Sequence, residues 1–165
     1  MAFEYRKLDA ADAEQWQVLR LEGARNFPLG FLVTAQEAAA ASVEQCRQIL
    51  ANGNSRGVFD GAKLVGFCGY RPERLERTRH RGELGPFFVA REYQGSGAAQ
   101  RLMRGVVEEA RESGIEQLEL YVDTKNHRAI AFYERQGFER IAIHPDCVRS
   151  GGISRDGYFC RLRIA

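Results

Sequence analysis

Apolar residues recur along the chain with two different periods, which predict strands and helices in turn. Residues 3–8 alternate apolar and polar side chains, as a half-buried strand does. Trp16, Leu19 and Gly23 then fall on one face of a helix. A second helix is predicted over residues 34–50, because it starts with the capping-box sequence Thr-Ala-Gln-Glu. The N-terminal third is therefore expected to hold one strand followed by two helices.

The middle of the chain carries short strand patterns separated by turn residues. Residues 56–59 and 63–70 are expected to form a hairpin around the sequence Asp-Gly-Ala at 60–62. Residues 83–89 are predicted to form a further strand. Pro86 within that strand implies an edge position, a bulge or a local break, because proline has no N–H to donate to the ladder.

The second half of the chain alternates helix and strand. After a glycine-bearing loop at 91–99, apolar residues recur at i, i+1, i+4, i+5 and i+8, which predicts an amphipathic helix. Strands are predicted at 117–122, 138–143 and 158–164, a short helix at 126–136 and a loop at 144–152. Since a helix joins strands 83–89 and 117–122, a right-handed crossover between parallel strands is expected.

These elements predict a single α/β domain over residues 1–165. The expected fold has a mixed, mostly antiparallel sheet of about seven strands, with a central parallel βαβ unit and about four helices. A chain of 165 residues is long enough to bury one core without disulfides or a structural metal.

Composition and charge exclude several classes of protein. Apolar residues make up 44% of the chain and charged residues 28%, which excludes fibrous and wholly disordered chains. The net charge of +2 gives no reason to expect a nucleic-acid partner. No apolar run could span a bilayer, and residues 1–8 lack the core of a signal peptide, so we expect a cytoplasmic protein with no membrane partner.

Four cysteines, Cys46, Cys68, Cys147 and Cys160, lie far apart in the sequence and form no CxxC pair. Zinc sites usually take their ligands in close pairs, and only the segment from His144 to Cys147 supplies half of one. We therefore expect reduced thiols and no metal.

A glycine loop at residues 94–99 is the first candidate for chemistry. Its sequence Gln-Gly-Ser-Gly-Ala-Ala precedes a helix start, where free amides and the helix dipole suit a phosphate. A tight turn with no ligand is the alternative. The loop lacks the Gly-Lys-Ser/Thr of a Walker A motif. Gln100 stands at the third small position of a dinucleotide fingerprint, although Asp123 matches that motif's acidic ribose ligand.

Two motifs resemble those of the GNAT superfamily of N-acetyltransferases. The pattern Q/R-x-x-G-x-G/A, present here as Gln94, Gly97 and Ala99, is similar to the family's acetyl-CoA signature. The sequence NHRAIAFYERQGF at 126–138 resembles the family's second signature. The order of predicted elements also resembles that of the family along nearly the whole chain.

The resemblance implies an N-acetyltransferase that moves the acetyl group of acetyl-CoA directly to a primary amine in a ternary complex. The chain departs from the family pattern at Arg91, where proline is common, and at Ser96, where a basic residue is common. Weaker candidates for the cofactor's 3′-phosphate are Arg91, Arg101, Arg104 and Arg128, although an arginine at such a position is more often a solvated charge. The implied cofactor-binding residues are Phe88, Val89, Gln94, Gly95, Ser96, Gly97, Ala98, Ala99 and Asn126.

Two catalytic residues are implied by the same resemblance. Tyr133 is the candidate proton donor to the departing thiolate, and it follows Asn126 by seven residues, so that both face one side of a helix. The alternative for Tyr133 is a packed aromatic residue. Glu83 is the candidate general base, acting through a water, and its alternative is a cross-strand partner of a neighbouring arginine. An amide near Val89 is the candidate for stabilising the oxyanion.

The acceptor is expected to bind between the irregular segments 26–31 and 144–152, as a small-molecule or peptide amine. The rival function is a non-catalytic acyl-CoA-binding module or sensor on the same fold. The arginine-rich segment 71–81 could contact an anionic acceptor or nucleic acid, or form a solvated hairpin tip. An edge strand or the C-terminal strand could support a homodimer.

Overall fold

The fold is described by a computed structural model that covers residues 2–165. Seven strands form one sheet: β1 (Glu4–Lys7), β2 (Ser55–Asp60), β3 (Lys63–Pro72), β4 (Arg81–Val89), β5 (Gln117–Asp123), β6 (Glu139–Ser150) and β7 (Ile153–Arg163). Five α-helices accompany them: α1 (Ala13–Asn26), α2 (Ala35–Ala40), α3 (Val43–Ala51), α4 (Ala98–Glu112) and α5 (His127–Arg135). The predicted α/β class and seven-stranded mixed sheet are confirmed.

The strands lie in the order β1-β2-β3-β4-β5-β7-β6. All neighbours are antiparallel except β4 and β5, which pair in parallel from Arg81 and Gln117 to Glu83 and Glu119. The ladder stops there, although β4 continues to Val89 and β5 to Asp123. The later part of β4 thus has no strand partner on its β5 side, and an opening is left in the middle of the sheet.

Helices cover both faces of the sheet and form two apolar cores. Leu64 and Val65 are consecutive in β3 but belong to different cores, because successive side chains of a strand point to opposite faces. The core on one face includes Leu102 and Val106 of α4, and the core on the other includes Trp16 of α1. Since β4 contributes to both cores, its position in the sheet is fixed from both sides.

Pro86 lies in a bulge, which was one of the three expected arrangements. In the β3–β4 ladder Cys68 pairs with Phe87 and Tyr70 pairs with Leu84, so two residues of β4 lie opposite one of β3. Because β4 lies between β3 and β5, the alternative of an edge strand was wrong.

The predicted helix at 34–50 is two helices, which gives five helices rather than about four. Thr34 caps α2 as expected, with its hydroxyl accepting from the amide of Glu37 at 3.0 Å. A second capping box follows at Ser42 and Gln45, where the Ser42 hydroxyl accepts from the Gln45 amide at 3.1 Å. The alanine-rich sequence obscured this second start, because alanine favours helix throughout.

The segment expected to be a loop at 144–152 is mostly strand. β6 and β7 form a long hairpin that turns at Gly151 and Gly152, whose φ angles are +57° and +79°. A Gly-Gly turn matches the twist of a hairpin. β7 therefore begins at Ile153, five residues before the predicted start of the last strand.

Candidate active site

A cleft of about 380 Å³ opens where β4 and β5 part. The end of β4, the glycine loop and one face of α5 form its walls. The residues that line it are Phe27, Gly30, Phe31, Phe87, Phe88, Val89, Gln94, Gly95, Gly97, Ala99, Gln100, Asn126, Arg128, Ala129, Phe132, Tyr133, Arg135 and Gln136. The cleft thus brings together seven of the nine residues implied for cofactor binding, together with Tyr133.

The glycine loop presents backbone to the cleft. Gly95 and Gly97 have φ angles of +79° and +95°, and a Cβ on either would meet no atom within 4 Å. Glycine is needed at both for conformation, and the space over the loop is open. The first hydrogen bond of α4 runs from the Arg101 amide to the Gly97 carbonyl at 3.0 Å, so the amides of Ala99 and Gln100 have no acceptor within the helix.

The two remaining loop residues have structural roles. The Ser96 hydroxyl donates to the carbonyl of Tyr93 and accepts from the Ala98 amide at 3.3 Å. Ala98 is the first residue of α4 and is fully buried. Neither residue lines the cleft.

Gln94 ties the loop to the sheet. Its side-chain Nε2 donates to the carbonyl of Val89 at 3.1 Å, across the turn between β4 and α4. This hydrogen bond joins the carboxyl end of β4 to the loop in one wall of the cleft.

Asn126 begins α5, and its side-chain oxygen accepts from the amide of Ala129 at 3.3 Å. Asn126 is thus the N-cap of α5. Because Asn126 and Tyr133 lie two turns apart, both face the cleft as predicted.

Tyr133 lies at the inner end of the cleft with its ring held by aromatic neighbours. The ring centroids of Phe87, Phe132 and Phe138 are 6.2, 5.6 and 5.6 Å from that of Tyr133. Burial, with a smaller contribution from Cys68 nearby, raises the pKa of the Tyr133 hydroxyl above its ordinary value. The hydroxyl therefore keeps its proton throughout the neutral and mildly alkaline range.

Two arginines on α5 supply the positive charge of the cleft. Arg128 lines it as expected, whereas Arg135 was not anticipated. The signal was present in the sequence, because residues seven apart on a helix share a face. Of the other candidates, Arg101 stacks over the Tyr5 ring at 5.6 Å and Arg104 approaches Glu108 at 4.0 Å.

Glu83 lies outside the cleft. It pairs across the ladder with Arg71 of β3, whose Nη2 donates to Glu83 Oε2 at 2.7 Å. This is the cross-strand contact offered as the alternative for Glu83, and its role as a general base stays a prediction. Arg81 likewise approaches Glu119 at 3.7 Å, so two arginines of the 71–81 segment have carboxylate partners on the sheet.

A second cavity of about 310 Å³ lies under α1 and α3 on the other face of the sheet. Phe31 lines both cavities, so that its ring separates them. Of the segments expected to form the acceptor pocket, 26–31 contributes to this region. Residues 144–152 line neither cavity, because they form the outer hairpin.

The helices formed by residues 2–165 include none that is long and apolar enough to cross a bilayer. Within the same residues no group of three or more His, Cys, Asp or Glu side chains could hold a metal ion. The cysteines are free thiols, and Cys46, Cys68 and Cys160 are buried.

Comparison with known proteins agrees with this geometry. The chain is 30% identical over 145 residues to the mycothiol acetyltransferase of Propionibacterium freudenreichii, an alignment that covers 79% of this chain and 46% of that protein. It is 36% identical over 106 residues to the N-alpha-acetyltransferase RimI of Mycobacterium tuberculosis, covering 64% of this chain and 63% of that one. The chain thus spans about half the length of the first of these relatives.

Solved structures share the whole fold. The ribosomal-protein-alanine N-acetyltransferase of Brucella melitensis matches with a TM-score of 0.82 and 25% identity, covering 97% of this chain and 99% of that chain. The Salmonella typhimurium protein yncA, solved with its cofactor acetyl-CoA, matches with a TM-score of 0.79 and 17% identity, covering 100% of this chain and 95% of that chain. A sequence profile described as "Acetyltransferase (GNAT) family" matches residues 14–138. This chain therefore belongs to the GNAT family of acetyltransferases.

Proposed function

We propose that the protein is an N-acetyltransferase that moves the acetyl group of acetyl-CoA directly to a primary amine in a ternary complex. One observation carries this proposal. A single cleft holds the open glycine loop, the free amides at the start of α4 and the buried Tyr133. The family profile matches residues 14–138, and a single domain over residues 1–165 is part of the proposal.

The chain's own residues suit the cofactor. The amides of Ala99 and Gln100 and the positive end of α4 would hold the pyrophosphate, and the guanidinium groups of Arg128 and Arg135 would add positive charge. The side of β4 near Phe88 and Val89 that has no strand partner offers backbone groups to the amides of the pantetheine arm, apart from the Val89 carbonyl, which accepts from Gln94 Nε2. Acetyl-CoA supplies the thioester from which the acetyl group is transferred.

Tyr133 acts as the proton donor in this proposal. Since its hydroxyl remains protonated, it can donate to the sulfur as that atom gains negative charge. The three surrounding aromatic rings pack around the Tyr133 ring and restrict its orientation. The amide near Val89 would donate to the carbonyl oxygen of the acetyl group.

The attacking amine must lose a proton to be a nucleophile. Glu83 is the proposed acceptor of that proton, through a water that would connect it to the amine. The Glu83 carboxylate accepts a hydrogen bond from Arg71 Nη2 at 2.7 Å, which leaves its other oxygen available to the water. A water relay is required, because Glu83 does not line the cleft.

The acceptor is a small-molecule or peptide amine. The names of the relatives cover both kinds, since one is a mycothiol acetyltransferase and another an N-alpha-acetyltransferase. The rival function is an acyl-CoA sensor without catalysis. A sensor needs the glycine loop but not Tyr133, so the presence of Tyr133 in the cleft favours the enzyme.

A thermal-shift titration with acetyl-CoA, CoA and NAD tests the proposal. A ligand present at 100 times its Kd should stabilise the fold by about 2.7 kcal/mol, or about 5–10 °C in Tm at this chain length. We expect saturable shifts with acetyl-CoA and CoA and none with NAD. No shift with acetyl-CoA at millimolar concentration would contradict the proposal. A shift without thiol release for any amine would favour the sensor.

A further inference from the structure

The second cavity has mostly apolar walls and adjoins the cleft that contains Tyr133. Its volume is about 310 Å³, within the range of small-molecule sites. The residues that line it are Trp16, Arg20, Phe31, Leu32, Val33, Ile49, Ser55, Phe67, Gly69 and Pro86. Such a lining suits the apolar body of a small molecule.

Arg20 is the one charged side chain that lines this cavity. Its Cζ lies 5.0 Å from the centre of the Trp16 ring, a cation–π distance. It forms no ion pair with any carboxylate in the described part of the chain. Arg20 is half-buried, stacks on an aromatic ring and, within residues 2–165, has no Asp or Glu partner, so its guanidinium is suited to bind an anionic group of a ligand. The planar guanidinium can donate two parallel hydrogen bonds to a ligand carboxylate.

The two cavities meet at the middle of the sheet. Pro86 lines the second cavity and the next residue, Phe87, lines the first. Phe31 lines both, with its ring centroid 5.6 Å from that of Phe88. The second cavity therefore adjoins the cleft that Tyr133 lines, with the Phe31 ring between them.

The charges around both cavities restrict the acceptor. Neither cavity is lined by an aspartate or a glutamate, and the charged lining residues are Arg20, Arg128 and Arg135. A polyamine or another polycation would meet only positive charge there, which disfavours it. An acceptor with a single amine and a negative group meets complementary charge.

We infer that the second cavity binds the acceptor, and that the acceptor is a small amine with an apolar body and a carboxylate that pairs with Arg20. This inference rests on the proposed function, in which an amine accepts the acetyl group of acetyl-CoA. It deepens that function by naming the chemical class of the substrate. Arg20 is then a specificity-determining residue, and the apolar walls around Phe67 select the body of the acceptor.

The chain offers a site-specific probe of this cavity. Trp16 is its only tryptophan, so the intrinsic tryptophan fluorescence reports on the cavity directly and needs no acetyl-CoA. We would titrate the protein with L-leucine, L-methionine and L-phenylalanine and with the corresponding carboxamides. Each pair differs in the carboxylate and keeps the amine and the apolar side chain.

We expect at least one of the three amino acids to change the Trp16 emission in a saturable way, with its carboxamide binding at least about tenfold more weakly. The variant Arg20→Gln should bind the amino acid as weakly as the carboxamide. The matched control is Arg25→Gln, which alters an exposed arginine on the same helix and should leave binding unchanged. Equal Tm values for both variants would show that the fold is kept.

Three results would overturn the inference. They are no saturable change with any of the six probes, equal affinity for acids and carboxamides, and an Arg20→Gln variant that binds like the parent. Tighter binding of the carboxamides, which mimic the first residue of a peptide, would instead favour a peptide acceptor. Because the titration contains no cofactor, these outcomes are distinguishable from a failure of acetyl-CoA to bind.

Discussion

Arg56 on β2 and Glu109 on α4 form a bidentate ion pair inside the molecule. Arg56 Nη2 lies 2.7 Å from Glu109 Oε2, and Nε lies 2.8 Å from Oε1. The Tyr5 hydroxyl donates to the same carboxylate at 2.8 Å. Arg56 is only 6% exposed, and among residues 2–165 Glu109 is the one carboxylate that balances its charge, while its Nη1 donates to the carbonyls of Gly53 and Ser55. The pair fixes α4, whose first turn borders the cleft, onto two strands at the edge of the sheet.

Removal of the Glu109 carboxylate should therefore destabilise the fold strongly. Glu109→Ala leaves the buried Arg56 charge without a partner, and we expect a loss of about 3 kcal/mol in the free energy of unfolding. Glu108→Ala is the matched control, because the exposed Glu108 pairs only loosely with the exposed Arg104, at 4.0 Å. Urea unfolding of both variants measures the difference, and equal losses would contradict a structural role for the ion pair.

Acid should weaken the fold through the same carboxylate. Burial opposes ionisation of Glu109, but the hydrogen bonds from Arg56 and Tyr5 outweigh it and hold its pKa below the ordinary 4.5. Arg6 likewise lowers the pKa of Asp12. A lowered folded-state pKa contributes stability above the unfolded pKa, and that stability is lost as pH falls through the folded value. We expect Tm to fall steadily below about pH 4.5, and to fall less steeply in Glu109→Gln.

The positive φ angle of Gly97 should matter for the cofactor as well as for stability. Gly97→Ala forces an alanine into the left-handed region, which should lower the free energy of unfolding by about 1 kcal/mol. It also adds a Cβ to the loop that faces the cleft. Gly114→Ala is a matched control, since Gly114 follows the other end of α4 with φ +82° and also has open space around it. Both variants should lose similar stability. Only Gly97→Ala should weaken acetyl-CoA binding, which calorimetry measures, and equal affinities would count against the loop as a phosphate site.

Loss of the Tyr133 hydroxyl should slow turnover and spare binding. Tyr133→Phe keeps the aromatic packing, so we expect the affinity for acetyl-CoA to be unchanged and kcat to fall by about 100-fold or more. Tyr158→Phe is the control, because Tyr158 is a half-buried tyrosine of β7 that lines neither cavity. Thiol release with a suitable amine measures both variants. Unchanged turnover in Tyr133→Phe would remove this residue from the mechanism.

The role of Glu83 can be separated from its ion pair by two substitutions. Glu83→Gln removes the proposed base, whereas Arg71→Gln removes only its partner. We expect Glu83→Gln to lower kcat about 100-fold at neutral pH, with a smaller deficit at high pH where the amine is already neutral. Arg71→Gln should lower kcat far less, because it leaves the Glu83 carboxylate in place. Similar small losses in both variants would leave Glu83 with its cross-strand role alone.

Much of the fold could be predicted because local signals agreed with tertiary contacts. The stripe on α4 matched one buried face, and Phe3 and Tyr5 pack partly buried against the same core, whereas Leu8 lies beyond β1 in the other core. The break between α2 and α3 was missed, since the capping signal at Ser42 stands within a run of strong helix formers. The length of the β6–β7 hairpin was missed because its outer residues are exposed, and only pairing across the strands keeps them extended.

The site was predictable to the extent that it depends on short motifs. Three of its residues lie within a few residues of a helix start: Gln94, Gly97 and Asn126. Tyr133 shares a helix face with Asn126, so spacing along the sequence was enough to place all four. The second cavity could not be predicted in this way. It forms where α1, α3 and the β4 bulge pack together, and no local pattern links Arg20 to Pro86 across 66 residues of sequence.

The early end of the β4–β5 ladder gives the protein an unusual kind of strand edge. Outer edges of sheets invite pairing with other chains, and proteins usually protect them with charge or with a covering segment. Here the unpaired backbone of β4 lies inside the sheet, in a cleft of about 380 Å³ walled by α5 and the glycine loop, and not on an outer edge. The molecule can keep hydrogen-bonding groups available for a slender, amide-bearing ligand and yet avoid the aggregation that an exposed edge would promote.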